Sequence, residues 1–153
     1  WPIENYAKVI NIIMHNRHVL LIGSKQDTKE LEQLRNMCKN KDNVHNTAGR
    51  TTLKQLFALI DRCNLFISND TGPMHIAAAQ GVKTIGIFGP NLPTRFAPYG
   101  KENISLYEKQ YCSPCINVHK GEFPACFNPI KGKCVKDLQP EKVIEAVKQC
   151  KIK

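Results

Sequence analysis

No apolar run in this 153-residue sequence approaches the roughly 18 residues that a bilayer-spanning helix needs. No bilayer-spanning helix is therefore expected within these residues. Aromatic residues are scarce at 7%, with a single tryptophan, and the basic residues are spread along the chain rather than gathered in a stripe. Both features argue against a nucleic-acid-binding module. There is no internal repeat, no low-complexity tract and no linker, so nothing divides the chain. One domain over residues 1–153 is expected, with 42% hydrophobic residues to build its core. Acidic residues are also short: 13 Asp and Glu against 22 Lys and Arg leave a formal net charge of +9. That balance favours anionic partners such as nucleotides or an anionic membrane surface. An initiator methionine and a recognisable signal peptide are missing too. The chain opens at Trp1 and reads as a processed product or part of something longer, with a lost leader left open.

What is present alternates. Residues 1–14 carry apolar side chains at helical spacing, and His18–Ile22 is a short continuous apolar run of the kind found in buried parallel strands. Asp27-Thr28-Lys29-Glu30 has the form of a capping box opening a helix to about Lys39. A short strand is expected at Asn43–Asn46, then a helix capped by Thr51 or Thr52 and running to about Arg62. Strands follow at Leu65–Ile67, Thr84–Phe88 and Ile104–Tyr107, with a helix over 73–80 between the first two. Residues 108–137 have little periodicity, and an amphipathic helix closes the chain over about 140–150. Such alternation predicts βαβ units: an α/β, Rossmann-like parallel sheet with helices on both faces. Ligands of such sheets bind beyond the carboxyl ends of the strands. Gly23-Ser24, Ala48-Gly49, Asn69 to Gly72 and Phe88-Gly89-Pro90 all fall at such ends.

The richest of these loops is Asp70-Thr71-Gly72-Pro73, with His75 in the first turn of the helix that follows. A helix N-terminus offers unpaired N–H groups and the positive end of its dipole, a ready anion site. Gly72 lets backbone approach a ligand, Pro73 suits the first helical positions, and His75 can donate to the same anion. The turn reads as a phosphate or diphosphate cradle. Asp70 and Thr71 are either caps or ligand contacts, and His75 is either a ligand contact or a packing residue.

Seven cysteines divide into two groups. Cys38, Cys63 and Cys150 sit in or beside apolar patterns as ordinary buried thiols. Cys112, Cys115, Cys126 and Cys134 cluster in one segment and resemble the ligands of a structural zinc, with His119 near enough for a mixed site. Their later intervals match no standard zinc ribbon, so reduced thiols and a disulfide stay open. Lys109, Lys120, Lys131, Lys133 and Lys136 make the same segment basic. It faces an anionic ligand, an anionic membrane surface, or solvent alone.

The stretch SNDTGPMHIAAAQGVKTIGIFGPNLPTRFAPYG resembles the signature of glycosyltransferase family 9, the lipopolysaccharide heptosyltransferases. The WP-x-E start at Trp1, Pro2 and Glu4, the segment NTAGRTTLKQLFALIDRCNLFISND, and the CSPC pair with Cys134 extend the resemblance over nearly the whole chain. The resemblance implies the carboxyl-terminal, donor-binding half of a two-domain GT-B enzyme. By the same resemblance, Asp70, Thr71, Gly72 and His75 contact the donor's diphosphate and sugar, with His75 stabilising the leaving group. Asp27 stands where an acidic residue holds the ribose, Thr51 or Thr52 lies beside the base, and Gly89 and Pro90 shape the next rim loop. It further implies ADP-heptose as donor, the lipopolysaccharide core as acceptor and a cytoplasmic setting with peripheral membrane contact. No cofactor is needed for the chemistry. The family's general base and acceptor domain have no counterpart in these residues, so this stretch alone is expected to be inactive. A different nucleotide sugar, and a non-catalytic nucleotide-binding module, stay open as alternatives.

Overall fold

A computed structural model describes residues 1–14 and 17–150. The chain gathers into two compact units, Pro2–Leu59 and Ile60–Lys153, with Trp1 belonging to the second. The first unit holds α1 (Ile3–Ile13), β1 (Val19–Leu21), α2 (Thr28–Met37), β2 (Val44–Asn46) and most of α3 (Leu53–Asp61). β1 and β2 pair in parallel, Val19 opposite Val44 and Leu21 opposite Asn46. The apolar stripes of α1 and α2 close over this ladder: Ala7, Ile10, Met14, Leu21, Leu34, Cys38 and Val44 form one buried cluster. Polar bonds fix α2 to β2. Arg35 Nε donates to Val44 O at 2.8 Å, and Asn46 Nδ2 donates to Thr28 O at 3.0 Å and Glu32 Oε2 at 3.2 Å. The hydrogen bonds from Asn46 and Arg35 hold the Glu32 carboxyl below its usual pKa.

The second unit holds β3 (Phe66–Asn69), α4 (Gly72–Ala79), β4 (Thr84–Phe88), α5 (Pro93–Phe96), β5 (Ile104–Tyr107), α6 (Lys133–Lys136) and α7 (Pro140–Gln149). Its strands are all parallel in the order β3-β4-β5. β4 is the middle strand and is buried at every position, which is why TIGIF reads as a continuous apolar run rather than an alternation. Gly86 is required there by close packing: a Cβ would lie 2.6 Å from Met74 Sδ and 2.8 Å from the Phe88 ring. Its absence lets α4 settle onto β4 through Met74 and Ala77, both wholly buried. α7 packs against β4 and β5 through Val143, Ile144, Ala146 and Val147. Trp1 Nε1 donates to Leu138 O at 2.9 Å.

All strand pairing is parallel, as the alternation predicts, but the five strands form two ladders, β1-β2 and β3-β4-β5. β4 and β5 have the predicted bounds, α4 has the predicted length shifted by one residue, and α1, α2, α3 and α7 are one to three residues shorter than their periodicity suggests. The 108–137 segment carries one 3-10 turn at Val118–Lys120 and the short α6. Among the described residues, no helix is long and apolar enough to cross a membrane.

Candidate functional site

The turn between β3 and α4 is set by its neighbours. Asp70 N–H donates to Ile87 O at 3.1 Å, carrying the β3-β4 ladder one step past the strand end. Thr71 is the N-cap residue of α4, extended at φ −143° and ψ 163°, and its side chain makes no capping bond. Asp70 therefore does not cap the helix through Thr71's position. Its Oδ2 accepts from Asn91 Nδ2 at 2.7 Å, and its Oδ1 lies 4.0 Å from His75 Nε2. The Asp70 side chain is 15% exposed and the His75 side chain 47%, so the pair presents an imidazole to solvent over a sheltered carboxylate.

The backbone donors of this turn are fewer than a generic helix start would give. Pro73 has no N–H, and Met74 N–H is turned to Thr71 O at 3.1 Å. The N–H groups of Thr71 and Gly72 have no partner among the described residues, and both residues are exposed. A Cβ on Gly72 would meet nothing within 4 Å, so its surface is open. The Thr71 hydroxyl is not free to donate outward. Ser68 Oγ gives its one hydrogen to Asn69 O at 2.8 Å, so the 3.0 Å contact between Ser68 Oγ and Thr71 Oγ1 has Thr71 as donor. A ligand would be met by two successive N–H groups at the positive end of α4, flanked by His75.

The rim loop after β4 joins this turn through Asn91. Sequence reasoning missed Asn91, because its partner Asp70 is distant in sequence; its place directly after Gly89-Pro90 was the only signal. Gly89 is buried, and a Cβ there would lie 2.5 Å from Val135 Cγ1 and 3.1 Å from Cys134 Sγ. Pro90 O accepts from Cys115 N at 3.1 Å. These contacts give Gly89 and Pro90 a structural task, anchoring the loop that presents Asn91. Beyond Asn91, a shallow hollow is lined by Leu92, Arg95, Phe96, Ile116 and Val118.

The first unit has a rim of its own. Gly49 N–H donates to Gly23 O at 3.0 Å, and Gly49 takes the left-handed conformation (φ 68°), where a Cβ would collide with Lys25 Cα at 2.8 Å. Asp27 sits over this junction. Its Oδ2 accepts from Ser24 N at 2.7 Å and Ser24 Oγ at 2.8 Å. The capping box therefore lies one turn earlier than the pattern from Asp27 to Glu30 predicts. It pairs Ser24 with Asp27 around the 3-10 turn Lys25–Asp27, and Asp27 makes no side-chain capping bond to α2. Asp27 Oδ1 has no hydrogen-bond partner among the described residues. Of the two threonines proposed to cap α3, Thr52 does so: Gln55 N donates to Thr52 Oγ1 at 3.3 Å, and Gln55 Oε1 accepts from Thr52 N at 2.9 Å. Thr51 is half-buried beside it.

All seven cysteines are free. Cys38 and Cys150 are buried as expected, while Cys63 is half-buried; burial raises the pKa of all three. Cys112, Cys115, Cys126 and Cys134 share one neighbourhood. Asn128 Nδ2 donates to Cys112 Sγ at 3.3 Å, and Gly132 N donates to Cys126 Sγ at 3.4 Å. Backbone N–H donors hold the Cys126 thiol below its usual pKa, and burial raises those of Cys115 and Cys134. Among the described residues, no three His, Cys, Asp or Glu side chains are gathered so as to hold a metal ion, so the zinc expectation gains no support from the side-chain arrangement.

Parallel βαβ construction with an anion-ready helix start beyond the strand ends defines a Rossmann-like α/β fold. Comparison with known proteins narrows it. Residues 1–124 match the model of glycosyltransferase family 9 (heptosyltransferase), and the chain belongs to that family. It is 38% identical over 152 residues to lipooligosaccharide heptosyltransferase 2 of Campylobacter jejuni, covering 97% of this chain and 45% of that protein. It is 36% identical to lipopolysaccharide core heptosyltransferase OpsX of Haemophilus influenzae, covering 97% of this chain and 44% of the relative. Among solved structures, the glycosyl transferase family 9 protein from Veillonella parvula is 27% identical with a TM-score of 0.79, covering 98% of this chain and 41% of that one. The Escherichia coli ADP-heptose lps heptosyltransferase II has the same TM-score at 22% identity, a likeness of fold. The chain thus spans under half the length of the relatives it matches.

Proposed function

We propose that this chain is the nucleotide-sugar-binding part of a glycosyltransferase that moves a sugar, heptose from ADP-heptose, onto the lipopolysaccharide core at the cytoplasmic face of the membrane. The observation that carries the reading is the β3-α4 turn in a chain of this family: two open N–H groups at Thr71 and Gly72, with His75 alongside a sheltered Asp70. Transfer from a nucleoside diphosphate sugar builds negative charge on the departing diphosphate. Donors already aimed at that charge lower the barrier most when they need no reorganisation. In this reading the Thr71 and Gly72 N–H groups and the α4 dipole receive the diphosphate, and His75 Nε2 donates to the leaving oxygen. Asp70, held by Asn91 through Oδ2, keeps Oδ1 for His75 or for a sugar hydroxyl. The acceptor hydroxyl needs a general base, and none is assigned among these residues.

The choice of heptose rests on the two heptosyltransferases to which the chain is similar. The test is steady-state transfer by the protein expressed from its complete reading frame. Replacing one well-placed donor costs about 100- to 1,000-fold in rate. His75→Ala is expected to lose kcat on that scale, with unfolding behaviour unchanged. Near-normal turnover by that variant removes His75 from the chemistry.

A further inference from the structure

Asp70 has two carboxylate oxygens and two polar neighbours, and each neighbour faces a different oxygen. Asn91 Nδ2 donates to Oδ2 at 2.7 Å, while Oδ1 stops 4.0 Å short of His75 Nε2. Only the amide nitrogen of Asn91 can donate to a carboxylate, so this bond also fixes which way the amide points. Closing Oδ1 onto Nε2 to hydrogen-bond length needs a movement of about 1 Å, a turn of the carboxylate that draws Oδ2 away from Asn91. Both ends of the Asp70–Asn91 bond are tied to backbone. Asp70 N–H is bonded to Ile87 O at 3.1 Å. Pro90 O, the carbonyl that leads into Asn91, accepts from Cys115 N at 3.1 Å and Ile116 N at 3.4 Å. Gly89 beneath it packs against Val135 and Cys134 too closely to admit a Cβ.

We infer, resting on the donor-site reading above, that Asn91 is a positioning residue: it holds the Asp70 carboxylate off His75, so that Nε2–H stays free for the ligand. One imidazole N–H makes one strong hydrogen bond. A carboxylate that took it would leave nothing for the departing oxygen, and that bond would have to break before the donor could serve the transition state. Donors that need no such reorganisation lower the barrier most. Asn91 removes the competition by occupying Oδ2 and fixing the carboxylate's angle. Oδ1 is then left for a hydroxyl of the donor, and His75 for the diphosphate.

The test is steady-state transfer from ADP-heptose by the protein expressed from its complete reading frame, with the melting temperature measured alongside. Asn91→Ala should lower kcat about tenfold, the scale of one lost hydrogen bond to a charged group, with the loss falling on kcat rather than KM. Because Asn91 acts only through Asp70, adding Asn91→Ala to Asp70→Ala should cost nothing further. Asn91→Asp keeps the shape but sets a second carboxylate against Asp70. Its kcat should fall below that of Asn91→Ala at neutral pH. It should recover relative to the parent as the pH falls and the two carboxyls share a proton, which restores a donor to Oδ2. A residue that merely braces the loop would show no such recovery. Parent-like kcat in Asn91→Ala overturns the inference, as does an undiminished loss when Asp70 is already alanine. If Asn91→Ala melts early, Asn91→Asp decides alone, and a pH profile parallel to the parent's overturns the inference. Parent-like transfer by Asp70→Ala is a separate result: it removes Asp70 from the site, and both the donor-site reading of that residue and the role of Asn91 fall with it.

Discussion

Gly72, which opens α4, and Gly86, on β4 beneath that helix, do opposite work. At Gly86 a Cβ would press on Met74 Sδ at 2.6 Å, so that glycine exists for packing. At Gly72 a Cβ would meet no protein atom within 4 Å, so whatever that glycine makes room for is not part of the fold. Gly86→Ala is expected to destabilise the protein by about 1–3 kcal/mol through overpacking. Gly72→Ala should unfold like the parent and bind ADP less well, because its methyl stands in the path of a phosphate approaching the Thr71 and Gly72 N–H groups. Urea denaturation and ADP titration of the two variants separate these roles. A Gly72→Ala protein with undiminished ADP binding would mean that the open face of the turn is not where the diphosphate lies. Thr71 also changes character once its partners are known. Its hydroxyl is spent on Ser68, so its contribution to an anion is the backbone N–H.

At the level of elements, helix starts decide which residues are left for a ligand. Thr52 and Gln55 exchange bonds at the start of α3, so Thr52 is a capping residue and Thr51 is the one available for other work. Thr52→Ala should cost about 1 kcal/mol of stability in thermal unfolding, the usual loss for an N-cap. Thr51→Ala should fall within about 0.5 kcal/mol of the parent, as surface substitutions away from such features do. The same level shows what the sequence could disclose. β4 was legible because a buried parallel strand needs an unbroken apolar run, and TIGIF has one. The start of α2 was legible, but the capping box was placed one turn late because Ser24 and Asp27 are equally good cap residues three apart, and only the bonds to Asp27 Oδ2 choose between them. The four-residue α5 is too short for periodicity to register. The Asp70–Asn91 bond joins loops after two different strands, and no local pattern announces a contact of that kind.

Across the whole molecule, each compact unit brings its own strand-end loops together. Gly49 is bonded to Gly23 in one, and Asn91 to Asp70 in the other. The parallel topology that makes βαβ units also delivers these loops to the carboxyl ends of the strands, where ligands of such sheets bind. The net charge of +9 favours an anionic ligand. The chain matches under half the length of each relative.

The central claim is that the β3-α4 turn receives the donor's diphosphate. Its most direct test is calorimetric titration of the protein from its complete reading frame with ADP and ADP-heptose, repeated on Asp70→Ala and His75→Ala. The account predicts binding to the parent that both substitutions weaken by about tenfold or more, the scale of a lost charge-assisted hydrogen bond. Parent-like affinity in both variants would contradict it and place the diphosphate away from this turn.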